Sequence, residues 1–125
     1  MSDLSVLIVD DHEGFRGMAR DLLTGCGFDV VGEAADGRSA LGVATRLRPA
    51  IVLLDVQLPD IDGFEVARLL SARNDPPDVV LVSTRETTDY GRRIATSGAV
   101  GFITKSSLSG DTLLAVLRGP WEEQE

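Results

Sequence analysis

The sequence predicts an α/β protein, with a doubly wound five-stranded parallel sheet and helices on both faces. Short apolar runs alternate along the 125-residue chain with stretches whose apolar residues recur every three or four positions. The runs are typical of strands, and the stretches are typical of helices. Strands joined by single helices need right-handed crossovers, so the sheet should be parallel and covered on both faces.

Five apolar runs are the predicted strands, and their composition indicates which of them are central. They span residues 5–10, 28–33, 50–55, 78–83 and 99–104. Residues 51–54 and 79–82 are almost continuously apolar, which favours central positions. Asp29 and Glu33 place charge in the second run, which indicates a position nearer an edge.

Five helices are predicted from stripes of apolar residues at helical spacing. They span residues 13–25, 37–47, 62–73, 88–97 and 109–118. Gly25 and Gly27 follow the first helix, and Pro49 follows the second. Residues 74–77, with two prolines, follow the third helix, and Gly98 follows the fourth. Each predicted helix is therefore short.

Length and composition predict a single domain, because 125 residues of which 43% are hydrophobic can bury one core but not two. We expect the domain to occupy residues 1–119 and a short acidic tail to occupy residues 120–125. No run is long and apolar enough to span a bilayer, and the first residues lack the features of a signal peptide. The sequence therefore predicts a cytoplasmic protein.

The formal net charge of −8 argues against unaided binding to nucleic acid or to a membrane surface, since both need clustered cations. Any role in DNA binding would need another domain. Cys26 is the single cysteine, so it cannot form an internal disulfide, and its place after a helix predicts an inert thiol.

Charged side chains follow three of the buried strands. Asp10 and Asp11 follow the first strand, Asp55 ends the third, and Lys105, the only lysine, follows the fifth. Open α/β sheets bind ligands outside the carboxyl ends of their strands. Because the first and third strands are neighbours in this topology, we expect the three aspartates to share one shallow cleft.

The shared carboxylates predict a metal site. Carboxylates this close would raise one another's pKa, whereas a divalent cation would favour their ionised forms. Oxygen ligands without cysteine suit Mg²⁺, which keeps several waters. We expect Asp11 and Asp55 to be direct ligands and Asp10 to act through water. The backbone carbonyl of Gln57 could complete the protein's share.

A carboxylate beside a cation and a lysine is also suited to phosphoryl transfer, which depends on positioning and charge neutralisation. In this interpretation Asp55 is the nucleophile and phosphoacceptor. Lys105 would contact one phosphoryl oxygen, and the hydroxyl of Ser83, at the end of the fourth strand, would contact another.

These residues, in this order and spacing, resemble the receiver domain of bacterial two-component response regulators over nearly the whole chain. The matching motifs are Asp10-Asp11, Leu53-Leu54-Asp55, Leu58-Pro59-Asp60-Ile61-Asp62-Gly63, Ser83, Gly98-Ala99-Val100-Gly101-Phe102 and Lys105. The resemblance implies the flavodoxin-like strand order 2-1-3-4-5, phosphotransfer from a histidine kinase to Asp55, Mg²⁺ dependence and slow self-catalysed hydrolysis. It also implies a phosphoacceptor switch rather than an enzyme, in which Ser83 moves toward the phosphoryl group and Phe102 rotates inward.

The resemblance also implies partners. A sensor histidine kinase or a phosphotransfer protein would act upstream, and phosphorylation could produce a homodimer. A downstream partner would bind the face made by the fourth helix, the fifth strand and the fifth helix, where Thr88, Tyr90, Arg92 and Arg93 are candidates. No membrane contact and no direct contact with nucleic acid are expected of this domain.

Several residues depart from the usual receiver pattern. Ser106 replaces the proline that most receivers carry after the lysine, so we expect a trans or a strained peptide bond there. Thr84 stands where a very small residue is common, and Gln57 and Arg85 occupy positions that tune hydrolysis. Phe102 lacks the hydroxyl of the tyrosine often found there, so only its ring packing can report the switch.

Other interpretations are weaker. A haloacid dehalogenase phosphatase needs a second acid where Gln57 stands, and neither a flavodoxin phosphate loop nor a nucleotide P-loop follows the first strand. Pro59 and the missing glutamate do not match the pattern of a calcium-binding loop. Asp60 and Asp62 are instead expected to shape a turn, with Asp62 capping the next helix. The serious alternative is a receiver-like interaction module that works without phosphorylation.

Two simpler interpretations concern the start of the first helix. Taken alone, Asp10 or Asp11 could cap the helix that begins near Glu13. His12 is expected to be structural rather than a ligand.

Overall fold

The computed structural model describes residues 4–84 and 90–118. One five-stranded sheet runs through this part of the chain, in the order β2-β1-β3-β4-β5, with every pair parallel. Its strands are β1 (Ser5–Val9), β2 (Asp29–Ala34), β3 (Ile51–Asp55), β4 (Asp78–Ser83) and β5 (Gly101–Thr104). The predicted topology is confirmed, with β3 and β4 inside the sheet and β2 at its edge.

Helices alternate with the strands as the periodicity predicts. They are α1 (Glu13–Gly25), α2 (Gly37–Leu47), α3 (Gly63–Ser71), α4 (Arg92–Thr96) and α5 (Gly110–Arg118), with a 3₁₀ turn over Lys105–Ser107 before α5. None of these helices is long and apolar enough to cross a membrane.

The sheet separates two apolar cores, which explains why its central strands are apolar on both faces. In β1, Leu7 and Val9 face the core under α2 and α3, whereas Val6 and Ile8 face the core under α1 and α5. This alternation follows from the two-residue period of a strand. Both cores stop at the carboxyl edge of the sheet, where the polar residues begin.

In three elements a bound differs from the prediction by two residues or more. Helix α3 ends at Ser71 instead of residue 73, with Ala72 as its C-cap, and Asp75 takes a left-handed φ of 52° ahead of two prolines. Strand β5 begins at Gly101 instead of residue 99, after a turn in which Gly98 has a φ of 85°. The described part of the fourth helix is shorter than predicted, and residues 85–89 lie outside the described residues.

The predicted boundary at residue 119 and the acidic tail, with Trp121, also lie outside the described residues. Cys26 is described, and it is an exposed free thiol that caps the C-terminus of α1.

Candidate functional site

Strand register brings the predicted site residues together at the carboxyl edge of the sheet. Val9 pairs with Leu54, so Asp10 and Asp55 follow at the same level on neighbouring strands. Asp55 in turn pairs with Val82, which places Ser83 just beyond it. The relative exposures are 0% for Asp10, 3% for Asp55 and 1% for Ser83, so three polar residues are buried at one edge.

Lys105 supplies the positive charge of this site. Its Nζ lies 2.6 Å from Oδ2 of Asp10 and 3.6 Å from Oδ2 of Asp55, and its ammonium also stands 4.5 Å from the centre of the Phe15 ring. Oδ2 of Asp10 accepts no hydrogen bond of regular geometry within the described residues, so the ammonium contact is an ion pair. The lysine thus lies closer to Asp10 than to the predicted phosphoacceptor.

The peptide bond between Lys105 and Ser106 is trans, as are the other peptide bonds of the described chain. This bond lies in the first step of the 3₁₀ turn that begins at Lys105. Ser106 is therefore accommodated where most receivers have a proline.

His12 joins the acidic pair, which sequence reasoning underestimated. Its Nδ1 lies 3.1 Å from Oδ1 of Asp10 and 3.1 Å from Oδ1 of Asp11, while its backbone N–H donates to Asp10 at 2.8 Å. His12, and neither aspartate, takes the N-cap position of α1, without a side-chain hydrogen bond. Its adjacency to the pair was the available signal. The histidine side chain is largely exposed and contacts both carboxylates from the solvent side.

The donor set fits a hard divalent cation. Asp10, Asp11, His12 and Asp55 each offer a ligand atom, and these atoms lie within 4.8 Å of one another. Three of the four donors are carboxylates, and Asp10 keeps an oxygen without a regular hydrogen bond. Oxygen-rich sites of this kind suit Mg²⁺, which would also offset the repulsion between the carboxylates.

Burial raises the pKa of Asp55 from 3.8 to about 6, and the charge of Asp10 adds to this increase. The backbone N–H of Gln57, which donates to Oδ1 at 3.2 Å, and the Lys105 ammonium act in the opposite direction. Desolvation is the largest of these effects, so the acceptor carboxylate is ionised less readily than an exposed one.

The turn after β3 fixes the backbone next to Asp55. Gly63 donates its N–H to the Val56 carbonyl at 3.0 Å, and an added Cβ at Gly63 would lie 2.3 Å from the Asp55 carbonyl oxygen. Asp62 caps α3 by accepting the Phe64 N–H at 2.7 Å, which confirms its predicted capping role. Glycine is therefore required where the helix begins against the strand end.

Asp60 ties the same turn to α2. One of its carboxylate oxygens accepts the Gly37 N–H at 2.8 Å, and the other accepts the Arg38 N–H at 3.0 Å. The predicted turn-shaping role of Asp60 is thereby confirmed, and its link to a second helix is a feature that only the tertiary structure reveals.

Ser83 contacts Tyr90, which the sequence analysis placed only on the predicted face for a downstream partner. Its Oγ lies 2.6 Å from the hydroxyl of Tyr90, and either group can donate. The Tyr90 ring packs between Phe64, at 5.2 Å, and Phe102, at 5.7 Å between ring centres. No periodicity in the sequence marks this position, although Tyr90 is the only tyrosine in the chain.

The structure describes three of the remaining candidates. Thr84 is exposed next to Ser83, and Arg92 is exposed at the start of α4. Arg93 pairs with Asp62 at 2.5 Å. Thr88 and Arg85 lie outside the described residues.

Comparison with known proteins gives the same picture. Residues 6–118 match the family model of the response regulator receiver domain. A Pseudomonas aeruginosa protein named for transcriptional regulation is 44% identical over 112 residues, which make up 88% of this chain and 53% of that protein. The chain thus spans about half the length of this relative.

Solved structures share the fold. The signal receiver domain of NarL from Mycobacterium tuberculosis is 34% identical with a TM-score of 0.81, and the match covers 92% of this chain and 94% of that one. A chain of the CheX–CheY–BeF3–Mg²⁺ complex from Borrelia burgdorferi is 26% identical with a TM-score of 0.80, covering 91% and 86% of the two chains.

Proposed function

Because this chain belongs to the response regulator receiver family of two-component systems, we propose that it is a signalling switch that accepts a phosphoryl group from a histidine kinase on Asp55. The observation that carries this proposal is the buried Asp55 carboxylate, whose Oδ2 lies 3.6 Å from the Lys105 ammonium. The cluster of carboxylates beside it supports a dependence on Mg²⁺. A structural neighbour from a complex that holds BeF3 and Mg²⁺ agrees with this chemistry.

Each site residue has one task in this mechanism. An oxygen of Asp55 attacks the phosphorus, so the bond from phosphorus to the kinase histidine breaks as the new P–O bond forms. Lys105 neutralises one phosphoryl oxygen, and the Ser83 hydroxyl donates to another. Mg²⁺, when bound, would neutralise the remaining negative charge. Asp11, Asp55 and the Gln57 carbonyl would hold it directly, with Asp10 acting through water.

The residue two positions after Asp55 supports slow hydrolysis of the acyl phosphate. An efficient phosphatase needs a general acid or base near the acyl phosphate. Gln57 occupies the position two residues after Asp55, and an amide cannot take a proton from water at neutral pH. We therefore infer that the chain catalyses its own phosphorylation and loses the phosphoryl group slowly, as a switch rather than an enzyme with rapid turnover.

The energetic requirement for switching is modest. Reversing a population of about 1:99 to 99:1 needs about 5.5 kcal/mol. One charge-assisted hydrogen bond contributes roughly 1.5–3 kcal/mol. Two or three new contacts from Lys105, Ser83 and the turn after Asp55 therefore suffice.

The wider biology is also part of the proposal. Residues 1–119 would form the receiver domain, with 120–125 as a short acidic tail, in a cytoplasmic protein. A histidine kinase or phosphotransfer protein would act upstream. The output face would consist of α4, β5 and α5, through which a downstream partner or a second phosphorylated copy would bind. Transcriptional output is suggested by the relative from Pseudomonas aeruginosa, of which this chain spans about half.

The experiment that tests the proposal is an intact mass spectrum after incubation with acetyl phosphate, with and without Mg²⁺. We expect one phosphoryl adduct on the wild type that requires Mg²⁺ and is lost in Asp55→Asn. Asp21→Asn, which changes an exposed carboxylate on α1, is the matched control and should be labelled normally.

An absent adduct on folded protein would lead to a second assay with a cognate kinase, since small donors do not serve every receiver. Failure in both assays would contradict phosphorylation of Asp55 and favour the phosphate-independent interaction module.

A further inference from the structure

We propose that Tyr90 is a positioning residue for the Ser83 hydroxyl, and that it holds this hydroxyl away from the phosphoacceptor until the switch is activated. This inference rests on the proposed phosphorylation of Asp55 and deepens it, because it names the group that opposes the switch. It starts from the distance of 2.6 Å between Oγ of Ser83 and the hydroxyl of Tyr90.

That contact is a short hydrogen bond in a sheltered place. Distances between hydroxyl oxygens of 2.5–3.0 Å are typical of hydrogen bonds, so 2.6 Å is near the short end of the range. Ser83 is 1% exposed at the end of β4, and the phenol of Tyr90 reaches it from the turn that precedes α4. A buried hydroxyl held in this way has a defined direction rather than a free rotor.

The ring of Tyr90 is fixed by its neighbours on both sides. Phe64 of α3 contacts it edge to face, with the ring planes at 61°, and Phe102 of β5 contacts it at 53°. Arg93 stands 4.3 Å from the centre of the Phe64 ring and also pairs with Asp62, which ties the outer side of the cluster to the start of α3. Aromatic contacts of this geometry favour one ring orientation.

The position of Tyr90 links the two movements that the family resemblance implies. In the resting state that we propose, Ser83 donates its one hydroxyl proton to the Tyr90 oxygen, so it must give up this bond before it can donate to a phosphoryl group on Asp55. For Phe102 to rotate inward, it must change its contact with the same ring. Tyr90 therefore opposes both movements in the resting state. It also supplies the hydroxyl that Phe102 lacks, from a different element of the fold.

Tyr90→Phe tests this idea because it keeps the ring and removes only the hydroxyl. With the hydrogen bond to Tyr90 removed, Ser83 should turn toward the phosphoryl position more readily. We expect beryllofluoride, a phosphoryl mimic, to bind about two- to twelvefold more tightly in the presence of Mg²⁺, the range that corresponds to one neutral hydrogen bond. The melting temperature establishes that the variant is folded.

A double-mutant cycle separates this role from a general structural one. Ser83→Ala removes the partner hydroxyl, so adding Tyr90→Phe to it should leave beryllofluoride affinity unchanged. A further gain in the double variant would show that Tyr90 acts by another route and would overturn the inference. Unchanged or weaker binding by Tyr90→Phe alone would overturn it as well.

A spectroscopic readout is independent of affinity. Tyr90 is the only tyrosine, so labelling tyrosine with ¹³C gives one ring system. The phenolic carbon resonance should shift when Ser83→Ala removes the hydrogen bond, and should shift in the same direction when beryllofluoride and Mg²⁺ bind the wild type. A phenolic carbon resonance that does not shift in Ser83→Ala would contradict the proposed contact.

The outcomes distinguish the two proposals. If the wild type binds no beryllofluoride and Asp55 accepts no phosphoryl group, the proposed function fails and this inference fails with it. If the wild type binds beryllofluoride and is labelled on Asp55, but Tyr90→Phe behaves like the wild type, only the positioning role of Tyr90 is wrong.

Discussion

At the residue scale, the charge of Asp55 opposes folding. Its pKa is raised from 3.8 to about 6, chiefly by burial and then by the charge of Asp10. A carboxyl whose pKa is higher in the folded state binds its proton more tightly there than in the unfolded chain. The free energy of unfolding should therefore fall as the pH rises from about 4 to about 6.

Asp55→Asn should remove this unfavourable charge. At pH 7.5 we expect the variant to unfold with a free energy roughly 1–2 kcal/mol above that of the wild type, a value below the full shift because the asparagine amide is itself a polar group that must be buried there. The difference should shrink toward pH 4, where Asp55 is neutral in the folded wild type. Urea unfolding at several pH values measures it, with Asp21→Asn as the control. A difference that does not change with pH would contradict the raised pKa.

A second prediction at this scale concerns Gly63, the first residue of α3. In Gly63→Ala the new Cβ would lie 2.3 Å from the Asp55 carbonyl oxygen and 2.6 Å from the Val56 Cα, so backbone atoms must move. We expect a loss of roughly 1–3 kcal/mol in the free energy of unfolding and slower labelling of Asp55. Gly42→Ala in α2, where a Cβ meets nothing within 4 Å, should instead stabilise the protein by about 0.5–1 kcal/mol. Equal effects of the two substitutions would refute the steric argument.

At the scale of elements, the start of α2 depends on the turn that follows β3. The first N–H groups of a helix have no partners within the helix. Here Asp60 accepts two of them, from Gly37 and Arg38, while Asp36 accepts a third from Ser39. The Arg38 N–H contributes most to lowering the pKa of Asp60. A change in the turn should therefore alter the start of the neighbouring helix.

Asp60→Ala should loosen the first turn of α2. We expect faster amide hydrogen exchange at Gly37 and Arg38, with the C-terminal half of α2 less affected. Because the pKa of Asp60 is lowered in the folded state, its contribution is present above the ordinary value of 3.8 and is lost as the pH falls further. The difference between wild type and Asp60→Ala in urea unfolding should therefore diminish in acid. Asp21→Ala is the control, and the same exchange pattern in that variant would argue against a specific link.

At the scale of the whole molecule, the net charge of −8 and the acidic cluster predict that the proposed binding of Mg²⁺ stabilises the folded state. A cation that binds only the folded state stabilises it by about 1.4 kcal/mol at ten times its Kd. We expect MgCl₂ to raise the melting temperature of the wild type more than NaCl of the same ionic strength, since NaCl only screens the charge. Asp11→Asn should lose most of this excess. Equal shifts with the two salts would contradict a specific site.

Much of this architecture could be predicted because its signals are local. The apolar runs identified all five strands, and their flanking residues placed Asp10, Asp55 and Lys105 at one edge of the sheet. The errors arose where backbone conformation was decisive, as at Asp75, whose left-handed φ precedes the prolines after α3. Tyr90 was missed as a partner of Ser83 for a different reason: its contacts come from α3, β4 and β5, and no repeating pattern marks them.

The sequence by itself determined the parallel sheet, the order of its elements and the chemistry available at its carboxyl edge. Hydrophobic periodicity and the handedness of crossovers are enough for that, since both belong to short stretches of chain. Only the tertiary structure decided that Lys105 lies nearer Asp10 than Asp55, and that Tyr90 meets Ser83. Such contacts depend on how side chains from distant segments fill the same space, and packing of that kind leaves no local signal in the sequence.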